Sequence, residues 1–338
     1  MARILIVAPN WVGDTLLAQP LLARLQRRLP GVVIDALAPH WTAPLLGRMP
    51  EIAEVIEAPF EHGKLQLRRR WQLGRRLRSR RYDEAIVLPN TFKSALVPFF
   101  GDIPLRAGFV GESRYGLLNI LHRLDEKRVP LMAERYAQLA ERPGESASLP
   151  LAKPRLIVDQ ANQVITMSRL GLDRRRPAVA LCPGAEYGPA KRWPAKHFAE
   201  LARRLAARGR AVWLIGSSKD KAVGDTISAL SDGAAANLCG RTDLASALDL
   251  IALCELVVSN DSGLMHLGAA LDKPLIALYG SSSPRHTPPL SGHARIARVE
   301  GLPCSPCYRR ECPLGHFRCM NDLSPEQVLG EIELIEAQ

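Results

Sequence analysis

The stretch "ELVVSNDSGLMHLGAALDKPLIALYG", Glu255 to Gly280, holds two apolar runs joined by a polar turn and a helix-like segment. "LVVS" reads as a strand, "GLMHLGAAL" as the helix after it, and "PLIALYG" as the next strand. Both strand runs are nearly continuous in apolar residues, as in strands covered on both faces, so the unit predicts parallel strands with a crossover helix. Asn260, Asp261 and Ser262 then stand where a strand ends and a helix begins. The first amides of a helix lack internal partners and carry partial positive charge, which suits a phosphate or pyrophosphate. His266 lies one turn on, on the face of Ser262. Alone, Asp261 or Ser262 reads as a helix cap and His266 as a core histidine; together, at this location, they favour a ligand site.

The same alternation runs through the chain. Strand-like runs occur at 3–8, 32–38, 53–58, 84–89 and 106–110, and again at 178–182, 211–216, 236–240, 255–259, 274–280 and 295–299. After Trp193, Phe198, Leu201, Ala202 and Leu205 repeat at helical spacing, with Pro194 at the start and Gly209 at the end. Thr242 or Asp243 can cap the next helix. "RPGESASLPLAKP", Arg142 to Pro154, is rich in Pro, Gly and Ser and reads as a linker. The expectation is α/β: two doubly wound domains, 1–150 and 151–338, with ligand outside the carboxyl ends of the strands, in a cleft between domains.

The totals fit that picture. A chain of 338 residues is long for one domain, and 47% hydrophobic residues suffice for two cores. No apolar run reaches the length of a membrane span, and the N-terminus lacks a secretory pattern, so a cytoplasmic protein is expected. The net charge of +11 favours an anionic partner: nucleic acid, acidic membrane or phosphorylated substrate.

Further candidates lie in loops after strands. "PGAEYGPAKRWP", Pro183 to Pro194, is long for such a connection; its glycines permit close approach, and Lys191 and Arg192 can meet a diphosphate. Asp14, in "APNWVGDTLLAQP", is either a helix cap or a general base; this loop has one Gly where a dinucleotide fingerprint needs three. "LRRRWQLGRRLRSRR", Leu67 to Arg81, is an Arg-dense helix with a stripe of Trp71, Leu73 and Leu77, by default a solvated face, otherwise a surface for anionic lipid. Cys304, Cys307, Cys312 and Cys319 suggest a structural zinc site, against a spacing unlike standard fingers. No Asp-x-Asp pair is present to hold a cation on a nucleotide diphosphate.

Six stretches, "NWVGD", "LPNTFKSALVPFF", "ESRYGLLN", "PGAEYGPAKRWP", "NDSGLMHLGAAL" and "SSSPRHTPPL", resemble the ADP-heptose:lipopolysaccharide heptosyltransferases, glycosyltransferase family nine. The resemblance spans nearly the whole chain. It implies a GT-B fold of two Rossmann-like domains facing a cleft, the first binding acceptor and the second ADP-heptose, with a last helix that returns to the first domain. It implies inverting heptose transfer, without cofactor or metal, to the first heptose on Kdo-lipid A at the inner face of the inner membrane, and no nucleic-acid partner. Asp14 matches the base, Lys191 the diphosphate ligand, and Asp261, Ser262, Gly263 and His266 the donor segment; Arg192 and Asn260 join the donor site. Asp220, in "GSSKD", is the candidate ribose ligand, although the loop departs from the Glu seen elsewhere. Asn90, Lys93 and Arg114 are the expected acceptor contacts. Two rival readings are a GT-B nucleotide-sugar epimerase and a non-catalytic basic protein that binds nucleic acid.

Overall fold

The computed structural model describes every residue except His62, Ser148 and Gln338. The chain divides into two compact units, Met1–Ile157 and Val158–Gln338. The division falls just beyond the Pro- and Gly-rich stretch, which carries no helix or strand among its described residues.

In the first unit, β1 (Arg3–Val7), β2 (Val33–Ala38), β3 (Glu54–Glu57), β4 (Glu84–Val87), β5 (Leu105–Phe109) and β6 (Ile120–His122) form one sheet. Its order is β3-β2-β1-β4-β5-β6, parallel throughout. In the second, β7 (Ala178–Cys182), β8 (Ala211–Leu214), β9 (Ala235–Asn237), β10 (Leu256–Asn260), β11 (Leu275–Leu278) and β12 (Ala294–Ala297) form another. Its order is β12-β11-β10-β7-β8-β9, again parallel. Each sheet reverses direction of strand order once, between β1 and β4 and between β7 and β10. Loops at those switch points are where doubly wound sheets hold ligands.

Apolar burial accounts for the strands. Every residue of β7 and β10 is buried, which requires helices on both faces. The Ala195–Ala207 helix covers one face with Phe198, Leu201, Ala202 and Leu205, and Gly209 follows it at φ +80°. Asp243 caps the Leu244–Leu253 helix by accepting from the Ser246 amide at 2.7 Å.

Three expectations need correction. The last helix, Pro325–Glu336, does not belong to the first unit's core: Val328, Leu329, Ile332 and Ile335 join the second core, beside Phe198 and Leu201. The Arg-dense helix, Leu67–Leu77, buries Arg70, Leu73, Gly74 and Leu77, while Trp71 is 46% exposed. Gly74 decides the contact. A Cβ there would lie 2.7 Å from the Phe100 Cβ and 2.8 Å from the Val97 carbonyl, so only glycine lets this helix approach the Leu96–Phe100 helix. Finally, β6 lies beyond the predicted strands; its three residues are too short for a period-two signal.

Candidate functional site

In the second unit the site begins where β10 ends. Asn260 is fully buried, and both ends of its amide are used: Oδ1 accepts from the Trp193 amide at 3.1 Å, and Nδ2 donates to the Pro183 carbonyl at 2.8 Å. It ties both ends of the 183–194 loop to the strand and acts as a positioning residue. Asp261 is next and is buried. Its Oδ2 accepts from Lys191 Nζ at 2.6 Å and from Ser282 Oγ at 2.5 Å. The Lys191 ammonium is thus held at this strand end, beside the Tyr187 ring at 5.2 Å, with donors left over for a second anion.

Ser262 is the N-cap of the Gly263–Ala270 helix and has extended backbone, but its side chain makes no capping bond; its hydroxyl lies 3.3 Å from Ser259 Oγ. Ser262 and Gly263 are partly exposed. The helix therefore presents uncapped amides beside a fixed ammonium, an arrangement whose charge suits an anion. His266, one turn inside, is buried and stays neutral: burial pushes its pKa down to about 4, Asp261 opposes the shift and Lys191 adds to it. Arg192 is exposed and reaches the Ala185 carbonyl only at 3.4 Å.

Asp220 is placed differently from a free ribose ligand. It closes a capping box, its Oδ2 accepting from the Ser217 amide at 2.9 Å and from the Ser217 hydroxyl at 2.7 Å. Gly184 gives it room, since a Cβ there would lie 2.5 Å from that oxygen. Asp220 thus braces the turn after β8 against the end of β7.

Behind the 183–194 loop stands the cysteine segment. From Arg298 to Phe317 there is no helix or strand and no buried residue. Its backbone nevertheless supports the loop: Ala190 N–H donates to the Arg310 carbonyl at 3.0 Å, and the Tyr187 hydroxyl donates to the Tyr308 carbonyl at 2.8 Å. A Cβ on Gly188 would lie 2.5 Å from that Arg310 oxygen. The Tyr308 amide donates in turn to Ser281 O at 2.7 Å. No disulfide ties the four thiols, and Cys304, Cys307 and Cys312 lie near enough to Cys319 to add to the rise that burial gives its pKa, but among the described residues no three His, Cys, Asp or Glu side chains stand ready to hold a metal. Backbone hydrogen bonds tether the segment instead.

In the first unit, Asp14 is the third residue of the Val12–Leu17 helix that follows β1, and it is partly exposed. The N-cap position belongs to Trp11, so Asp14 is not the N-cap but an acid in the first turn. Its carboxylate lies near Tyr136, whose phenol is pushed up by burial first and by Asp14 second.

The three expected acceptor contacts separate. Arg114 is 1% exposed and acts as a clamp: it donates to Pro89 O at 2.8 Å, to Phe109 O at 2.5 Å and to Asn90 Oδ1, joining the ends of β4 and β5. Its burial corrects the expectation that it meets acceptor directly. Asn90 is exposed at the mouth of that clamp, opposite Gly111. Lys93 lines a pocket at the carboxyl ends of β1, β2, β3 and β4, together with Asn10, Trp41 and Arg70.

Sequence reasoning gave no role to Ser282 or Arg70. The triplet Ser281–Ser283, buried directly after β11, was the available signal for the first. Nothing local distinguishes the second from its arginine neighbours.

Two parallel six-stranded sheets of one strand order, each with its surrounding helices, are the architecture of the GT-B glycosyltransferases. Comparison with known proteins narrows this. The model for "Glycosyltransferase family 9 (heptosyltransferase)" matches residues 70–318, and the chain belongs to that family. It is 46% identical to lipopolysaccharide heptosyltransferase 2 of Escherichia coli K12 over 99% of each chain. It is 44% identical to lipooligosaccharide heptosyltransferase 2 of Haemophilus influenzae, over 99% of this chain and 100% of that one. The solved structure of E. coli ADP-heptose LPS heptosyltransferase II superposes with a TM-score of 0.89 at 44% identity, covering 100% of this chain and 99% of the other.

Proposed function

We propose that this chain transfers heptose from ADP-heptose to the first heptose of the lipopolysaccharide inner core, carried on Kdo-lipid A, inverting the anomeric centre in one displacement. The observation that carries this reading is the Lys191–Asp261 pair set beside the uncapped Gly263–Ala270 helix, in a chain 46% identical over its length to a heptosyltransferase 2.

In this reading the second unit, from about residue 151 on, holds the donor. The ADP diphosphate meets the amides of Gly263 and its neighbours, the Ser262 hydroxyl, Lys191 and Arg192, so charge leaving with ADP is stabilised without a cation. Such preorganised contacts are worth about 3 kcal/mol each in a site closed to water. Neutral His266 stands as a hydrogen-bonding group rather than a third cation. The first unit, up to about residue 150, holds the acceptor near Asn90 and Lys93. Asp14 removes the proton from the attacking hydroxyl, which general base catalysis rewards by roughly 10²–10⁴-fold.

The acceptor is a lipid, and no helix among the described residues is long and apolar enough to cross a membrane. We place the protein in the cytoplasm, in peripheral contact with the inner membrane. Arg68, Arg69, Arg75 and Arg76, all exposed around Trp71, suit anionic headgroups. The rival epimerase and nucleic-acid readings are disfavoured by the family match and lack a supporting observation of their own.

The test is incubation with ADP-heptose and mono-heptosylated Kdo-lipid A, with and without EDTA, followed by mass spectrometry. Gain of one heptose in both arms is expected. Gain only on Kdo-lipid A lacking heptose would overturn the acceptor, and loss with EDTA would overturn the metal-free displacement.

A further inference from the structure

The cysteines fall into two groups. Cys182, Cys239 and Cys254 are buried in the second unit, where burial holds each above the ordinary thiol range. Cys304, Cys307, Cys312 and Cys319 are partly exposed and unlinked, and the heptose transfer proposed above uses none of them. They nevertheless gather at one place, the end of β11. The Ser305 hydroxyl donates to Gly280 O at 2.7 Å and the Tyr308 amide donates to Ser281 O at 2.7 Å, which fixes the Cys304–Cys307 turn there. From the other side, the Arg318–Asn321 helix brings Cys319 to the same residue. A Cβ on Gly280 would strike Met320 Sδ and lie 3.2 Å from Cys319 Sγ.

Within this cluster two thiols are set against each other. Cys312 Sγ accepts from the Phe317 amide at 3.4 Å, and Phe317 is the N-cap of the helix that carries Cys319. The Phe317 amide, aided by those of Leu314, His316 and Gly315, holds the Cys312 thiol below its ordinary range, so more of it is thiolate at neutral pH. Cys319 is the opposite. Burial, with Cys307, Cys304 and Cys312 adding, pushes it up to about 11, so it keeps its proton. An accessible thiolate beside a protonated thiol is the arrangement that reacts with a peroxide and then closes to a disulfide.

We infer that Cys312 and Cys319 form a peroxide-sensitive dithiol, with Cys312 the attacking sulfur and Cys319 the resolving one. The Cys312 thiolate attacks one peroxide oxygen. The O–O bond breaks, its electron pair leaves on the other oxygen as hydroxide, and Cys312 becomes a sulfenic acid. The hydroxide takes up the proton that Cys312 had shed. The Cys319 sulfur then displaces the sulfenic hydroxyl, which departs as water with the Cys319 proton, and the S–S bond forms. Two thiols are oxidised and one hydrogen peroxide is reduced to two waters. The bond acts on the nucleotide site through the chain. Arg310, two residues before Cys312, gives its carbonyl to the Ala190 amide at 3.0 Å, against Gly188, where no Cβ fits. Drawing Cys312 to Cys319 displaces that carbonyl and frees the loop that carries Lys191. This effect on nucleotide rests on the donor reading above; the bond itself does not.

The test treats the reduced full-length chain with a small excess of hydrogen peroxide. Disulfides are mapped by peptide mass spectrometry, and ADP affinity is measured by calorimetry before oxidation, after it, and after dithiothreitol. A Cys312–Cys319 peptide pair is expected, with the ADP Kd raised about fivefold and restored by the reductant. Cys312→Ser and Cys319→Ser should each lack the bond and keep the reduced Kd after peroxide, and Cys304→Ser should behave as the parent. A bond mapped to another pair, or none formed, overturns the dithiol. So does metal in the purified chain that must be chelated before these thiols react. Bond formation with an unchanged ADP Kd overturns its hold on the nucleotide site. If the reduced chain binds no ADP, the donor reading fails, and the peptide map alone decides the dithiol.

Discussion

The two sheets have the same strand order and opposite equipment. After its first strand, β1, the first unit turns within four residues into a helix carrying a carboxylate, Asp14. After its first strand, β7, the second unit spends twelve residues on the 183–194 loop before its helix and carries an ammonium, Lys191. The second unit answers its own charge, since Lys191 is paired with Asp261 and Asp261 with Ser282. The first leaves Arg70 and Lys93 without an acidic partner among its described residues. One topology therefore carries two electrostatic arrangements: an internal ion pair at the strand ends of the second unit, and cations without an acidic partner among the described residues in the first.

The sharpest way to break the comparison is Asp14→Asn. Turnover should fall about 10³-fold while ADP binding, followed by calorimetry, is unchanged. Equal loss of ADP affinity would mean that Asp14 serves the donor and that the units do not divide the labour. Next in size is Lys191→Met, which removes the proposed phosphate contact and leaves Asp261 buried without its cation. We expect kcat/KM for ADP-heptose to fall about 10²-fold and stability to drop by roughly 3 kcal/mol. Asp261→Asn combined with Lys191→Met should restore most of the stability but not the activity, which denaturant melts and donor kinetics read separately.

A third test uses pH. His266 has a folded pKa of about 4 against an ordinary value of 6.5, so the unfolded chain takes up its proton first. Its contribution to stability is complete above about pH 6.5 and is lost as pH falls toward 4, by roughly 3 kcal/mol at the limit. In His266→Gln, urea midpoints between pH 6.5 and 4 should decline less steeply than in the parent; parallel curves would show that His266 is not the group titrating. The smallest expected effect belongs to Asn260→Ala. With both amide contacts of the loop lost, donor KM should rise about tenfold and kcat change little.

Legibility from sequence followed the range of the interactions. Eleven of the twelve strands announced themselves, most plainly those buried on both faces, which are apolar along their length, as in "LVVS" and "LIAL". Asp261, Ser262 and His266 were legible as a group because one strand-to-helix turn brings them together. Lys191 was expected to meet a diphosphate, whereas its bond to Asp261 spans seventy positions and has no local trace. Arg114 shows the same limit. An arginine beside Glu112 and Ser113 reads as exposed, and only the meeting of β4 and β5 reveals that it is enclosed. The face of the Leu67–Leu77 helix was misjudged because Trp outweighs Gly in any hydropathy pattern, whereas close helix contact rewards the missing side chain of Gly74.

The tether from Arg298 to Phe317 has a consequence for how the protein fails. It holds the Lys191 loop through carbonyls of Tyr308 and Arg310, yet has no buried residue, and only Val299, at its start, packs against the second core. Segments of that kind open at a small fraction of the global unfolding free energy. On warming, the grip on nucleotide should therefore slacken while both sheets still give a native circular dichroism spectrum, and inactivation would precede melting.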